Sequence, residues 1–447
     1  MSVRCYSCFQ EYEEGLETCP HCGHILTNTK REANYLPYGT ILDNRYIIGE
    51  VCGVGGFGIT YKAWDEKLET IVAIKEFFPN GTVNRIPETK EIIVFGGKRQ
   101  KEFRYGLIRF IDEARMTAKY VSHPNIVNVY DYFEENRTAY IVMEYLDGID
   151  LDHFLNQFPK DSRKLDLDTA KEIVLSICNA LKAIHADGVL HRDISPDNIY
   201  ICMNGSYKLY DFGASRLSGD ENKLMTIILK PGYAPPEQYE SVNKQGAWTD
   251  IYALGATLYR ILTGEKPVES VNRKVEIEVN QKDPLKEPME LNPEIPEYLN
   301  DAIMKAMAIE PSFRFQTVEE FEKVLQQEQK VEPVAKTIKK RKLRQVLGIS
   351  AAAVFLLGFS SYLLYHWWIQ RPLETEIDVW YIENAQMEQA LDDIQEEFHE
   401  SEQNKGITIH FVGISQDEYV SRLEEAEEAG TLPALFQSDN VDAQAFS

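Results

Sequence analysis

The chain is short of basic residues. Among its 447 residues, 47 lysines and arginines stand against 71 aspartates and glutamates, which gives a formal net charge of −24. This deficit argues against a nucleic-acid partner, because binding to a phosphate backbone depends on basic surface. The imbalance is concentrated near the end of the chain. From Gln370 onward, 19 acidic and 3 basic residues give the last 78 residues a net charge of −16.

Cysteine is also scarce: there are seven, and four of them fall within the first 22 residues. Cys5 and Cys8 form one Cys-x-x-Cys pair, and Cys19 and Cys22 form a second pair after ten intervening residues. Two such turns can supply the four corners of a metal tetrahedron. A segment of this size cannot fold on its own core, so the metal would supply the folding energy. The pattern predicts a structural zinc site and resembles a small zinc ribbon over residues 1–26. Disulfides and an iron-bound, rubredoxin-like site are the alternatives, and a cytoplasmic setting disfavours disulfides.

Charged residues are missing from one long stretch. Residues 346–369 contain no Asp, Glu, Lys or Arg over 24 positions, and a helix of that length crosses a hydrocarbon core of about 30 Å. Six basic residues lie at 336–344, and Trp367 and Trp368 lie at the other end. Because positive charge stays cytoplasmic, this asymmetry predicts a single transmembrane helix with the preceding chain inside. A buried soluble helix is the alternative. The opening residues are not a signal peptide, so this span is expected to act as its own insertion signal.

The most informative stretch reads HRDISPDN at residues 191–198 and is followed by DFG at 211–213. Asp193 can take the proton of a substrate hydroxyl, and Asn198 and Asp211 can hold Mg²⁺. These side chains are the minimum equipment for moving the γ-phosphoryl group of ATP to an alcohol. Either fragment alone is weak evidence, but the two fragments in this order indicate phosphoryl transfer.

Three upstream motifs fit the same chemistry. The stretch GVGGFG at residues 53–58 lies between two strand-like runs, and its glycines would let backbone amides approach phosphate oxygens. Lys75 ends an apolar strand and is placed to reach the α- and β-phosphates of ATP, while Glu113 lies in a helical pattern and can hold that lysine. The glycines of this stretch are Gly53, Gly55, Gly56 and Gly58.

Together these motifs resemble the eukaryotic-like protein kinases. GGFGITYKA, HRDISPDN and PGYAPPEQY resemble a bacterial serine/threonine subgroup more than tyrosine kinases. The resemblance implies a bilobal α+β kinase fold over residues 45–328 and an enzyme that phosphorylates Ser and Thr hydroxyls of protein substrates, including its own, with ATP and Mg²⁺. It also implies that Glu237 pairs with Arg314 and that a buried Asp250 organises the catalytic loop.

Two departures from the family pattern bear on activity. Ser195 stands where the family usually has a lysine that neutralises the transferring phosphate, and Lys230 stands where it usually has a threonine. The metal ligands, the base and the phosphate lysine are all present, which favours an active enzyme. The alternative is a pseudokinase scaffold that binds nucleotide without turnover. Arg192 beside the base suggests control by phosphorylation of the segment between Gly213 and Pro235, and the alternative is that Arg192 only hydrogen-bonds backbone carbonyls. The candidate sites there are Ser215, Ser218 and, preferred, Thr226.

The acidic end of the chain alternates between strand-like and helical patterns. Strands are predicted over 377–382 and 406–412, with helices after each and a third strand beginning at Pro433, which implies a parallel sheet. This order loosely resembles the start of a bacterial extracellular solute-binding protein. Such a protein needs two lobes, so a truncated chain, a completing partner and a small unrelated α/β module all stay open.

The predicted organisation is therefore that of a multidomain, single-pass membrane kinase in transmembrane signalling, with its kinase cytoplasmic and its C-terminus outside the cell. Its expected partners are protein substrates, a second copy of the chain, membrane lipid touching the basic run and an extracellular ligand. The predicted segments are the ribbon at 1–26, a linker at 27–44, the kinase at 45–328, a basic juxtamembrane linker at 329–345, the membrane helix at 346–369 and an extracytoplasmic α/β segment at 370–447.

Overall fold

The computed structural model of the protein describes residues 2–26, 31–87, 89–212, 216–217, 229–240, 244–333, 356–369 and 374–438. The chain divides into two units, Met1–Arg341 and Lys342–Ser447. The three phosphorylation sites expected between Gly213 and Pro235 lie outside the described residues.

A small cysteine-bearing module begins the first unit. Its strands β1 and β2 pair antiparallel, with Val3 opposite Tyr12. Each cysteine pair sits on a tight turn closed by a backbone hydrogen bond, from Phe9 N to Cys5 O at 2.8 Å and from Gly23 N to Cys19 O at 2.9 Å. These turns bring the two pairs together. The strands are β1 (Ser2–Arg4) and β2 (Glu11–Glu13).

The N-terminal lobe is a six-stranded antiparallel sheet in the order β3-β4-β5-β6-β10-β9, with helix α1 packed against it. Apolar residues fill both the strands and the inner face of α1, and they form one core that includes Ile74, Phe77 and Phe110. A separate hairpin, β7 and β8, flanks the sheet. The elements are β3 (Ile41–Leu42), β4 (Tyr46–Val54), β5 (Gly58–Asp65), β6 (Thr70–Phe77), β7 (Val83–Arg85), β8 (Ile92–Val94), α1 (Lys98–Thr117), β9 (Val129–Glu135) and β10 (Thr138–Glu144).

The predicted linker is partly incorporated into this lobe. Strand β3 pairs with β4, placing Ile41 opposite Ile47. Leu36 is fully buried in the lobe's core. No periodicity is visible over this stretch because a two-residue strand and one buried leucine are too short to produce one.

The C-terminal lobe is mainly helical and contains the larger core. Helix α5 is buried on all sides from Thr249 to Thr263, as expected for a helix that is apolar around its whole circumference. Helices α3 and α8 pack against it. The elements are β11 (Gly148–Asp150), α2 (Leu151–Asn156), α3 (Leu167–Ala186), β12 (Val189–Leu190), β13 (Ile199–Cys202), β14 (Tyr207–Leu209), β15 (Arg216–Leu217), α4 (Pro236–Glu240), α5 (Ala247–Thr263), α6 (Ser270–Asn280), α7 (Pro288–Leu291), α8 (Glu297–Ala306) and α9 (Val318–Leu325).

The second unit begins, within its described part, with helix α10 over residues 356–369. Its apolar side chains are exposed, among them Leu357 and Trp368. No helix in the described part of the chain has both the length and the apolar character needed to cross a bilayer. Residues 346–355 of the predicted span lie outside the described residues.

The acidic segment contains a three-stranded parallel sheet in the order β17-β16-β18, and its strands and helices alternate along the chain. Ile414, Tyr419 and Leu423 form its small core. The first helix, α11, buries none of its residues fully. The elements are β16 (Thr375–Ile382), α11 (Ala385–Glu400), β17 (Ile407–Ile414), α12 (Tyr419–Ala429) and β18 (Leu435–Phe436).

Candidate active site and metal centre

The lysine predicted to position phosphate is held by two carboxylates from different lobes. Lys75 Nζ on β6 lies 3.1 Å from Glu113 Oε1 on α1 and 2.8 Å from Asp211 Oδ1 beyond β14. Burial works against the ammonium, but Asp211 and then Glu113 raise the pKa of Lys75 above its usual range. The structure thus brings together three residues that are far apart in sequence, and the lysine stays charged where phosphate oxygens would need it.

The catalytic loop is fixed by the expected base and amide together with a buried acid. Asn198 Nδ2 donates to Asp193 Oδ2 at 2.8 Å and to the Asp193 carbonyl at 2.7 Å. Asp250, fully buried on α5, accepts the backbone N–H groups of His191 and Arg192 at 2.9 and 2.7 Å. Arg192 itself has a positive φ of 68°, a conformation that non-glycine residues adopt rarely. Asp250 therefore stabilises a strained loop that aims Asp193 into the cleft.

The carboxyl of Asp193, the predicted base, has a raised pKa. Burial raises the pKa of its carboxyl to about 6, while Lys230 works in the opposite direction and Asp211 adds to the rise. A general base is most effective when its pKa lies near the working pH. Its position beside Asn198 and its raised pKa are both compatible with the predicted role of proton acceptor.

The glycine-rich stretch connects β4 to β5 and folds back over β6. Gly55 N donates to Gly58 O at 2.9 Å, and Asn80 N donates to Gly56 O at 3.0 Å. At Gly58, an added Cβ would meet Glu76 O at 2.3 Å, so only glycine allows β5 to approach β6 this closely. An added Cβ at Gly53 would meet no heavy atom within 4 Å, so the Cβ side of the backbone is open there.

One charged residue, Lys230, makes contacts in the site that the sequence does not predict. Lys230 Nζ lies 3.1 Å from Asp193 Oδ2, 2.8 Å from Asp197 Oδ2 and 2.9 Å from Ser195 Oγ. The two departures from the family pattern, Ser195 and Lys230, are therefore in direct contact. The sequence shows that both departures occur together, and this is the signal that could have linked them. It does not show that they are in contact, because residues 35 positions apart meet only in the folded chain.

The ion pair expected from the family resemblance is present. Arg314 Nη1 lies 2.6 Å from Glu237 Oε1, and both side chains are buried. Thr249 also donates its hydroxyl to Glu237 at 3.0 Å. This pair connects the short helix α4 to the base of the C-terminal lobe.

The four N-terminal cysteines converge. Their Sγ atoms all lie within 4.8 Å of one another, with Cys5 to Cys22 at 3.8 Å and Cys8 to Cys19 at 3.7 Å. A tetrahedral zinc with Zn–S bonds of about 2.3 Å requires sulfur separations of roughly 3.8 Å. All four are free thiols, and disulfide bonds are about 2.0 Å long. The donor set fits one tetrahedral metal and not two disulfides.

This cysteine module rests on strand β4. Tyr6 O accepts a hydrogen bond from Glu50 N at 3.1 Å. Phe9, almost fully buried, stacks on Trp64 with ring centroids 6.1 Å apart, and His24 Nδ1 lies 3.0 Å from Glu50. The module is thus attached to the strand that leads into the glycine-rich stretch.

Comparisons with known proteins agree with this geometry. The family model described as the protein kinase domain matches residues 46–328. A probable serine/threonine-protein kinase of Clostridium acetobutylicum is 32% identical over 285 residues, which cover 63% of this chain and 39% of that protein. The serine/threonine-protein kinase PknB of Mycobacterium tuberculosis is 32% identical over 289 residues, covering 62% of this chain and 42% of that protein.

A solved structure, PpkA-294 in its apo form, is 37% identical with a TM-score of 0.57, covering 65% of this chain and 99% of its own. The chain thus matches about two fifths of the length of the curated relatives and nearly the whole of this solved structure.

Proposed function

The chain belongs to the protein kinase family, and on this premise we propose that it transfers the γ-phosphoryl group of ATP to serine and threonine hydroxyls of proteins. The observation that carries the proposal is the grouping at Lys75, which lies within 3.1 Å of Glu113 and within 2.8 Å of Asp211. Phosphoryl transfer in kinases requires a lysine–glutamate ion pair of this kind and an aspartate that can hold Mg²⁺, and here both acids lie at the same lysine. The relatives named as serine/threonine-protein kinases support the substrate class.

The residues fit Mg-ATP. Asn198 uses its Nδ2 on Asp193, so its Oδ1 is the atom that would join an Asp211 oxygen on Mg²⁺, a cation that prefers oxygen ligands. Bound Mg-ATP supplies the phosphoryl group and neutralises charge on its oxygens. Asp193 orients the substrate hydroxyl and accepts its proton as the oxygen bonds to phosphorus and the bond to ADP breaks. Lys75 holds the α- and β-phosphates.

Because Ser195 stands where the family usually has a lysine, a second candidate function is a scaffold that binds nucleotide without turnover. Incubating the full chain with Mg-ATP and a protein substrate separates the two functions. We expect phosphate on serine and threonine, with incorporation lost in Asp193→Ala and Mg-ATP binding retained. Wild-type chain that binds nucleotide but incorporates no more phosphate than Asp193→Ala would establish the scaffold. Phosphotyrosine as the product would overturn the substrate class.

We also propose that Cys5, Cys8, Cys19 and Cys22 hold one structural zinc ion. Four sulfur ligands within 4.8 Å of one another leave no open position for chemistry, so the metal would act by folding the module. The prediction is one zinc per chain, with a lower melting temperature after chelation and recovery on adding zinc. Cys22→Ser should lose the metal, whereas Cys202→Ser, buried in the C-terminal lobe, should keep it. Iron in place of zinc would appear as visible absorption.

We propose further that residues 346–369 anchor the chain in the cell membrane, with the kinase in the cytoplasm and the C-terminus outside. The proposal rests on the uncharged run, its basic flank and the exposed apolar residues of α10, such as Leu363 and Trp368. In this arrangement the basic flank would meet anionic lipid, and the outer α/β segment could take a ligand that changes the association of two copies.

Reporter fusions test this topology. An enzyme that is active only outside the cytoplasm should work when fused after residue 447 and fail when fused after residue 333. Leu363→Arg should release the chain from the membrane fraction, because a charge in the bilayer is costly, while Arg422→Leu in the outer segment should not. Signals of the same strength from both fusions would refute the proposed orientation.

A further inference from the structure

The cluster around Lys230 contains more than an ion pair. Its ammonium contacts two carboxylates and one hydroxyl, all from the loop at residues 193–197. The lysine side chain is 26% exposed and that of Asp193 is 23% exposed, so the cluster lies at the rim of the cleft rather than in the core. One of the carboxylates is the proton acceptor itself. A cation at this point is adjacent to the atoms that react.

Ser195 holds the other side of this contact. Its side chain is fully buried, and its Oγ accepts a hydrogen bond from Lys230 Nζ at 2.9 Å. The family pattern places a lysine in the loop and a hydroxyl residue in the segment before the Pro-Glu motif. Here the two residue types have exchanged positions: the segment before the Pro-Glu motif supplies the lysine that donates, and the loop supplies the hydroxyl that accepts.

We infer that Lys230 supplies the positive charge for the transferring phosphoryl group that the loop itself lacks, and that Ser195 positions it. This inference rests on the proposed kinase function. Asp193 takes the hydroxyl proton, the hydroxyl oxygen bonds to the γ-phosphorus, and the electron pair of the broken bond leaves on ADP. Lys230 stabilises the negative charge on the phosphoryl oxygens during that exchange.

The surrounding charges support this role. Asp193, Asp197 and Asp211 are three acids near one reacting centre, and two of them touch Lys230 directly. Without Lys230, incoming phosphate oxygens would face uncompensated carboxylates at the rim, which is electrostatically unfavourable in a partly buried site. Lys230 therefore neutralises the carboxylates of the loop before the reaction. During the reaction it lies beside the negative charge of the phosphoryl oxygens. Because the lysine comes from a different segment, the charge is present only when that segment is docked on the loop.

The test compares single and exchanged variants of the full chain. Lys230→Met should lower kcat about 100-fold, the usual effect of removing one transition-state donor, while the Kd for Mg-ADP stays within threefold. The double variant Ser195→Lys with Lys230→Thr, which places the lysine in the loop, should recover at least tenfold over Lys230→Thr alone. Lys244→Met, which removes an exposed lysine paired with Glu240, is the matched control and should change neither value.

A second readout does not depend on turnover. Aluminium fluoride with Mg-ADP mimics the transferred phosphoryl group, and it should tighten nucleotide binding in the wild type and in the exchanged double variant but not in Lys230→Met. Wild-type activity no higher than that of Asp193→Ala would overturn the proposed function and this inference together. If the wild type is active and Lys230→Met is equally or more active, the inference is overturned but the proposed function stands. If Lys230→Met does not fold, the double variant decides instead. A kcat of the double variant no higher than that of Lys230→Thr would overturn the inference.

Discussion

A buried ion pair in the N-terminal lobe gives the sharpest stability prediction. Glu76 and Arg85 have fully buried side chains, and Arg85 Nη2 donates to both Glu76 oxygens at 2.5 Å. Tyr61 and Tyr140 donate their hydroxyls to the same carboxylate at 2.9 and 3.1 Å. We predict that Arg85→Met severely destabilises this lobe, because it leaves a carboxylate in the core without its cation.

The magnitude follows from the burial of both partners. Removing one member of a buried pair costs about 3–5 kcal/mol, a large part of a folding free energy of about 5–15 kcal/mol. A domain of this size loses roughly 2–4 °C of melting temperature per kcal/mol, so a fall of about 10 °C is expected. Arg137→Met is the matched control, since Arg137 and Glu91 are more than half exposed and such pairs contribute about 1 kcal/mol or less.

Urea unfolding of wild type, Arg85→Met, Glu76→Gln and the double variant measures the effect and the coupling between the two sites. The double variant should be less destabilised than the sum of the single variants, because neither charge is then left alone. If Arg85→Met loses less than about 1 kcal/mol, the reasoning from burial is refuted, since water must then reach Glu76.

The same pair predicts a dependence on pH. Burial raises the pKa of Glu76, although Arg85 and the hydroxyls of the two tyrosines act to lower it. A carboxyl whose pKa is raised on folding contributes stability below its unfolded pKa of about 4.3 and loses it as pH rises through the folded pKa. Without Arg85 the folded pKa of Glu76 rises further. The deficit of Arg85→Met should therefore grow from pH 5 to pH 8, and a constant deficit would contradict this account.

Three further predictions concern close packing and the catalytic loop. Gly49→Ala should detach the cysteine module and speed hydrogen exchange at the Glu50 amide, because the new Cβ would lie 2.2 Å from Tyr6 O. Gly96→Ala is the control and should leave this exchange unchanged, because its Cβ would meet no heavy atom within 4 Å. Gly58→Ala should destabilise the chain by about 1–3 kcal/mol in urea, since its Cβ would lie 2.3 Å from Glu76 O and β5 must move. Asp250→Asn should lower kcat at least tenfold with little change in Mg-ADP affinity, because an amide nitrogen cannot accept the N–H groups that shape the loop.

The kinase fold could be predicted because its site residues lie in short strings with fixed order. Lys75 and Asp211 were identified from local motifs, and the structure places them 2.8 Å apart. The Glu76–Arg85 pair could not be found in this way. Charged residues are usually exposed, and Arg85 lies in a polar stretch that reads as a surface turn. Only the folded sheet places it beneath β6, where a carboxylate already accepts two tyrosine hydroxyls.

The attachment of the cysteine module was equally invisible in the sequence, and it explains an irregularity of β4. The register between β4 and β5 shifts between Ile48 and Val51. Within that interval, Glu50 N donates to Tyr6 O at 3.1 Å, and Gly49 O accepts from Arg31 Nη2 at 2.8 Å. Backbone groups that leave a ladder must find other partners or lose stability. The cysteine module and Arg31 provide those partners, so the N-terminal segment completes the strand leading into the glycine-rich stretch. A metal that folds this module would therefore also stabilise a strand of the kinase lobe.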